Sequence, residues 1–208
     1  MNSPAEADNR GRRGPKPNLN TRTNLVQAGL QTFHREGFAA TGIQSIVEQA
    51  GVPKGSFYNH FDSKETFGAS VVDAYFERAQ ARLDSAFGNT DLAPLARLEA
   101  YFDSLIVAFR DNKFSKGCLM GNLSAEIADH SEAIRLRLVE QFAAWCQVIE
   151  NCLLDAQRQG QLDSNLSAKS LSDFILNSWE GALLRMRVEK NDSPLLEFKQ
   201  FVFGHLLG

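Results

Sequence analysis

Residues 41–61 have the sequence TGIQSIVEQAGVPKGSFYNHF, and this segment predicts the architecture of the first part of the chain. Its first apolar residues recur at helical spacing, and Gly51 marks the end of that helix. Beyond the turn, Phe57 and Phe61 lie four residues apart, as on one face of a second helix. Two short helices joined by a tight turn containing glycine are typical of a helix-turn-helix.

The side chains that these apolar faces leave outside are small or polar groups. They can donate hydrogen bonds to DNA phosphates and to base edges. In the predicted third helix, residues 54–61, they are Lys54, Ser56, Tyr58, Asn59 and His60. Two further hydroxyl residues are placed to cap helices, Thr41 for the second helix and Ser63 for the fourth.

The flanking sequence is helical as well. An apolar pattern predicts a first helix over about residues 20–36, and Gly37 is placed to end it. Further helices are predicted over about residues 63–87, 92–111, 118–129, 131–159, 167–190 and 194–207. The sequence therefore predicts an all-α protein, with a helix-turn-helix head and a larger helical C-terminal body.

Three segments, residues 41–47, 50–61 and 63–65, resemble the DNA-binding signature of the TetR family of transcriptional regulators. The match covers roughly residues 20–68. The resemblance implies a homodimeric repressor that binds a near-palindromic operator and is released by a small-molecule inducer. The expected domains are a disordered basic arm over 1–18, a helix-turn-helix domain over 19–66, and a ligand-binding and dimerisation domain over 67–208.

The resemblance also implies which residues contact DNA. The residues expected to do so are Thr41, Gln44, Lys54, Gly55, Ser56, Tyr58, Asn59, His60 and Lys64. This sequence departs from the family pattern in three places: His60 stands where Tyr is common, Asn59 where His is common, and Gly42 where a hydroxyl residue is frequent. These departures leave the operator sequence undetermined.

The charge distribution supports a polyanionic partner for the head. Residues 1–61 contain seven Lys and Arg against four Asp and Glu, a net charge of +3, so the remaining residues contribute −6 to the total of −3. Arg12 and Arg13 belong to a basic cluster over residues 10–16, which predicts an arm that reaches the DNA backbone or the minor groove. A merely solvated tail is the alternative.

The last two predicted helices are strongly apolar. The resemblance implies that they pair with the same helices of a second subunit, whereas packing wholly inside one subunit is the alternative. The residues expected at this dimer interface are Phe174, Ile175, Leu183, Phe198, Phe201, Val202 and Leu206.

A ligand pocket is expected among the aromatic residues of the body, with a few polar groups. The residues expected there are Phe102, Phe109, Cys118, Asn122, Trp145, Trp179 and Glu180. Cys118 opens a predicted helix and follows two lysines, which predicts a lowered thiol pKa and a reactive sensor. The segments 117–119 and 179–182 also resemble a TetR subgroup that responds to reactive electrophiles and unsaturated small molecules. A buried structural cysteine is the alternative.

Other classes of function receive no support. The four histidines lack metal-ligand spacing, and no nucleophile elbow or P-loop occurs, so neither an enzyme nor a cofactor or metal site is expected. No segment has the length and apolar character of a membrane span, and the three cysteines suggest no disulfide framework, so a cytoplasmic location is expected. A constitutive dimeric DNA-binding protein that senses no ligand is the remaining alternative.

Overall fold

The computed structural model describes residues 19–208, and all regular secondary structure in that range is helical. The predicted all-α fold is therefore confirmed. The predicted arm over residues 1–18, with Arg12 and Arg13, lies outside the described residues.

The helices follow the predicted order. They are α1 (Leu19–Glu36), α2 (Ile43–Ala50), α3 (Lys54–Tyr58), α4 (Lys64–Phe87), α5 (Pro94–Asp111), α6 (Leu119–Ile127), α7 (Glu132–Arg158), α8 (Ala168–Glu189) and α9 (Ser193–Phe201). A π-helical turn, Val202–Leu206, follows α9, so the prediction of one regular helix over 194–207 is wrong beyond Phe201. No helix within residues 19–208 is long and apolar enough to cross a membrane.

We call α1–α3 the head and the part from α4 onward the body. The head is held together by an aromatic cluster in which Phe57 and Phe61, both buried, pack on Phe67 of α4 at ring-centroid distances of 5.2 and 4.9 Å. Phe33 of α1 packs edge-on against the same Phe67. Helix α4 therefore anchors the head and continues into the body.

Helix ends follow the predicted rules at most positions. Gly51 adopts the left-handed conformation, with φ of 66°, directly after α2. Ser63 caps α4 in a capping box with Thr66, as predicted. Thr41 does not cap α2: Gly42 occupies that position, and the Thr41 hydroxyl instead donates to the carbonyl of Gly37 at 2.6 Å.

In the body, α4 packs on α7, α7 on α8, and α8 on α9. The core between these layers contains large buried side chains, among them Trp179, Tyr101 and Phe102. Phe102 lies against Trp179 with ring centroids 4.9 Å apart. Burial of such aromatic side chains stabilises the body by roughly 1.5–3 kcal/mol each.

Many apolar residues of α8 and α9 are buried within the subunit itself. Ile175 and Leu183 are buried in the core of the single chain, which corrects these two predicted interface residues. Phe198 and Val202 expose little of their surface but line the groove between α8 and α9, so their place at an interface stays a prediction. Leu206 is half-buried. The apolar side chains left exposed on this part of the chain are Phe174, Leu184, Val188, Leu196 and Phe201.

Candidate DNA-binding surface and ligand cavity

The exposed face of α3 is the candidate DNA-binding surface. Phe57 is buried behind it, so Lys54, Tyr58 and Asn59 face outward, and the Tyr58 side chain is 55% exposed. The helix is shorter than predicted: it ends at Tyr58, and the N–H groups of His60 and Phe61 both donate to the carbonyl of Phe57. Asn59 therefore lies at the end of the helix, beside the exposed tyrosine.

Gly55 leaves the middle of this face open. A Cβ at this position would meet no atom within 4 Å, so the protein's own packing does not require glycine here. Because Gly55 has no side chain, another molecule can approach the backbone of α3 closely. Ser56 and His60 are half-buried on the same segment, whereas Gln44 is exposed on α2 and donates to Glu48.

Two predicted DNA contacts differ from expectation. The Thr41 side chain is fully buried and engaged with Gly37, so its hydroxyl cannot reach a phosphate; this prediction is wrong. The ammonium of Lys64 lies 4.3 Å from the ring centroid of Phe38, which gives the cation a partner inside the protein. Partial burial lowers the pKa of this lysine.

A cavity of about 200 Å³ lies where head and body meet. His34 of α1 contributes to its wall, together with residues of α4, α5, α7, α8 and the α5–α6 loop. The lining residues are His34, Tyr75, Ala79, Arg82, Tyr101, Leu105, Ala108, Phe109, Asn112, Lys116, Gly117, Cys118, Trp145, Trp179 and Leu183. Such a mixture of aromatic and aliphatic walls with a few polar groups is typical of small-molecule sites.

A vestibule of about 260 Å³ adjoins this cavity and shares part of its wall, including His34, Arg82 and Lys116. It lies between α1 and α4, and Arg78 and Gln31 complete its polar lining. The vestibule and the cavity share five wall residues in all, so they are neighbouring spaces in the fold.

Four of the predicted ligand residues, Phe109, Cys118, Trp145 and Trp179, do line the cavity. Phe102 does not: it is fully buried behind Trp179. Asn122 and Glu180 lie outside the lining as well. Asn122 accepts a hydrogen bond from Arg187, and Glu180 borders an apolar groove between α6, α7 and α8. Leu183, predicted at the dimer interface, is instead a cavity residue.

Cys118 has the opposite electrostatic environment from the predicted one. Burial raises the pKa of its thiol well above the usual value, and the neighbouring Glu180 raises it further. The two lysines before it do not compensate for this loss of solvent. The predicted lowering of the thiol pKa is therefore wrong, whereas a sensor role for Cys118 stays a prediction; the protonated thiol forms part of the cavity wall.

Burial controls the ionisation of Glu180 and His34 too. Burial raises the pKa of Glu180 to about 7, and its Oε1 atom has no hydrogen-bond partner in the part of the chain that the structure describes. Burial, and then the charge of Lys116, lowers the pKa of His34 to about 4, so its imidazole is neutral at pH 7. Its Nε2 atom is buried and likewise unpartnered within residues 19–208.

A carboxylate bridge joins body to head on the far side of α1. Glu126 of α6 accepts hydrogen bonds from the backbone N–H groups of Phe38 at 2.9 Å and Ala39 at 2.7 Å. Gly37, with φ of 85°, makes room for this carboxylate, because a Cβ there would lie 2.9 Å from its Oε2. Helix α6 begins directly after Cys118, so one end adjoins the cavity and the other holds the head.

Several cavity residues were not predicted, although the spacing of three of them in the sequence could have identified them. Tyr75, Ala79 and Arg82 are spaced to share one face of α4, and this face lines the cavity. His34, by contrast, has no sequence pattern that connects it to a pocket built mainly from the body. No group of His, Cys, Asp or Glu side chains that could hold a metal ion occurs between residues 19 and 208.

These features define a class: a helix-turn-helix DNA-binding regulator whose head shares a cavity with a helical body. Residues 25–68 match the family model described as bacterial regulatory proteins, tetR family, and residues 94–202 match the tetracyclin repressor-like C-terminal domain. The chain belongs to the TetR family of transcriptional regulators. Its relatives are regulators and not enzymes.

The chain is 38% identical over 186 residues to the transcriptional repressor DhaR of Mycobacterium sp. strain GP1, covering 89% of this chain and 92% of that protein. It is 32% identical to the transcriptional regulator AcuR of Cereibacter sphaeroides, over 88% of this chain and 84% of AcuR. Among solved structures, a TetR regulatory protein from Rhodobacter sphaeroides superposes with a TM-score of 0.83 at 32% identity, covering 89% and 98% of the two chains. The reduced form of Escherichia coli NemR gives 0.80 at 26% identity, covering 88% and 95%.

Proposed function

We propose that the chain is a repressor that binds a near-palindromic operator as a homodimer, and that a small molecule in the cavity releases it. The observation behind the ligand response is His34: a residue of the DNA-binding head lines a cavity built mainly by the body. A ligand there contacts both parts, and its binding free energy can favour one head orientation over another.

Two routes connect the cavity with the recognition helix. The first is α1, which contributes His34 and packs against α2 and α3. The second is α6, whose N-cap is Cys118 and whose Glu126 bonds the loop after α1. A shift of either element moves the backbone that positions α3. These two connections favour a ligand-responsive regulator over a constitutive DNA-binding protein.

The dimer is proposed to form through the exposed parts of α8 and α9. Phe174 and Phe201 are 46% and 54% exposed and border a groove between these two helices, and Val188, farther along α8, is 83% exposed. Contiguous exposed apolar side chains of this kind mark interaction surfaces. Two-fold symmetry would present two copies of α3 to successive major grooves of a near-palindromic site.

The direct test is a titration of fluorescent duplexes taken from the DNA that flanks the gene, followed by fluorescence anisotropy. We expect one near-palindromic duplex to bind far more tightly than its scrambled counterpart, with affinity falling steeply as salt rises. Equal affinity for both duplexes at moderate salt would refute the repressor function. Sedimentation of the free protein at micromolar concentration should give twice the 23.1 kDa chain mass.

Cys118 is assigned to the cavity wall in this proposal. Because its thiol stays protonated, Cys118→Ser should leave operator affinity unchanged and should preserve release by a non-electrophilic ligand. If release occurs only with electrophiles and disappears in this variant, the response is covalent and the wall assignment is wrong.

A further inference from the structure

The side chains that line the vestibule include three cations and no carboxylate. Arg78 and Arg82 lie one turn apart on α4, and Lys116 faces them from the α5–α6 loop. Neither the vestibule nor the cavity has an aspartate or glutamate in its lining. This arrangement stands out because residues 62–208 together carry a net charge of −6.

These three cations have no partners of their own in the part of the chain that the structure describes. Within residues 19–208 none of Arg78, Arg82 and Lys116 forms an ion pair or a hydrogen bond, whereas cations elsewhere on the body, such as Arg110 and Lys199, lie beside carboxylates. Like charges four residues apart on a helix repel each other. Burial is the main cause of the lowered pKa of His34, and the positive charge of Lys116 lowers this pKa further.

Farther in, the cavity offers an unused hydrogen-bond donor beside an apolar wall. Trp145 and Trp179 line the cavity and are almost completely buried. The indole of Trp145 lies beside the Tyr101 hydroxyl, whereas the indole N–H of Trp179 has no hydrogen-bond partner in the described chain. A buried donor without a partner is costly, and an oxygen acceptor on a ligand would satisfy it. Leu105 and Phe109 supply apolar surface in the same cavity.

We propose that this site binds a small organic anion, with its apolar part in the cavity and its charged group in the vestibule between Arg82 and Lys116. This assignment rests on the proposed ligand response and names the chemical class of the ligand. The cavity volume of about 200 Å³ limits the apolar part to a single ring or a short alkyl chain. The charged group can be a carboxylate or a phosphate ester, since both present acceptor oxygens to cations.

The test uses the full-length protein without DNA, so that its result does not depend on whether an operator is bound. Both tryptophans of the chain line the cavity, and their fluorescence therefore reports on occupancy. The probes are cyclohexanecarboxylate, cyclohexyl phosphate, the uncharged cyclohexanecarboxamide and inorganic phosphate. We expect at least one organic anion to bind about tenfold more tightly than the amide at low salt, with the ratio narrowing as salt rises.

Variants then locate the charge. Arg82→Gln and Lys116→Gln should each weaken the anion about tenfold and leave the amide unchanged. Arg135→Gln is the matched control, because Arg135 is exposed on α7 and pairs with Glu132. It should change neither affinity.

Three results would overturn the assignment: equal binding of anion and amide, equal losses in all three variants, or equally tight binding of inorganic phosphate, which has no apolar part. Tighter binding of the carboxylate or of the phosphate ester identifies which anion the site prefers. Failure of operator binding with intact anion selectivity would refute the proposed repressor function and leave this site standing.

Discussion

Replacement of Glu126 by alanine is the sharpest test of the connection between body and head. It removes an acceptor for two backbone N–H groups, Phe38 at 2.9 Å and Ala39 at 2.7 Å. Hydrogen bonds to charged groups contribute roughly 1.5–3 kcal/mol each, and partial exposure of this carboxylate places each of the two bonds near the lower end. We therefore expect each of the two amides to lose about 2 kcal/mol of local stability.

Amide hydrogen exchange measures this loss where it occurs. A change of about 2 kcal/mol corresponds to roughly 30-fold faster exchange of the Phe38 and Ala39 amides. Glu126→Gln keeps one acceptor oxygen and should give an intermediate acceleration. Glu132→Ala is the control, since Glu132 is exposed and pairs only with its helix neighbour Arg135, and it should leave these two amides unaffected.

Unchanged exchange of both amides in Glu126→Ala would refute the bridge, whatever the effect on global unfolding. Gly37→Ala offers an independent check. Its Cβ would stand 2.9 Å from the carboxylate and would also strain the backbone at φ of 85°. Combining it with Glu126→Ala should relieve the clash but retain the strain, so the double variant should be more stable than the sum of the two single changes predicts.

Three further predictions concern the DNA surface, the dimer and pH. Lys54→Ala should weaken every duplex by a similar factor, whereas Asn59→Ala should change the rank order in an anisotropy panel of operator variants; uniform losses for both would contradict base reading by Asn59. Phe174→Asp should convert the dimer to a monomer in sedimentation without loss of helical circular dichroism, whereas Ile175→Asp should unfold the subunit, because only the second change buries a charge. If the Phe174→Asp variant remains a dimer, the exposed surface of α8 and α9 is not the dimer interface. The pKa of His34 is about 4 in the folded protein and 6.5 in the unfolded chain, so the unfolded chain binds a proton at a higher pH. The free energy of unfolding therefore decreases by up to about 3 kcal/mol as the pH falls from 6.5 to 4. His34→Gln should therefore flatten this part of the urea-denaturation profile relative to the unchanged protein, and identical slopes would show that His34 is not buried as a neutral group.

Local patterns were sufficient for the order of the helices and for most of their ends. Gly51 and Ser63 act through hydrogen bonds and backbone preferences within a few residues, so the sequence alone predicted their roles. The apolar pair Phe57 and Phe61 likewise identified the inner side of α3.

Properties that depend on long-range packing could not be predicted in the same way. Nothing near Cys118 in sequence shows that Glu180 and the body core surround its thiol, and the two nearby lysines suggested the opposite pKa shift. Periodicity placed Ile175 and Phe174 together as apolar interface residues, but it could not tell that the first faces the core and the second faces solvent. Both errors arise because burial is decided by distant helices.

The fit between Gly37 and Glu126 also restricts how regulators of this kind can be recombined. Positions 37 and 126 lie 89 residues apart in sequence but touch in space. In a chimera that joins the head of one relative to the body of another at residue 62, these two positions come from different parents. A foreign head with a side chain at position 37 would collide with the carboxylate, and a foreign body without an acid at position 126 would leave two amides unbonded. Exchange of DNA specificity between such proteins therefore requires that both residues come from the same parent.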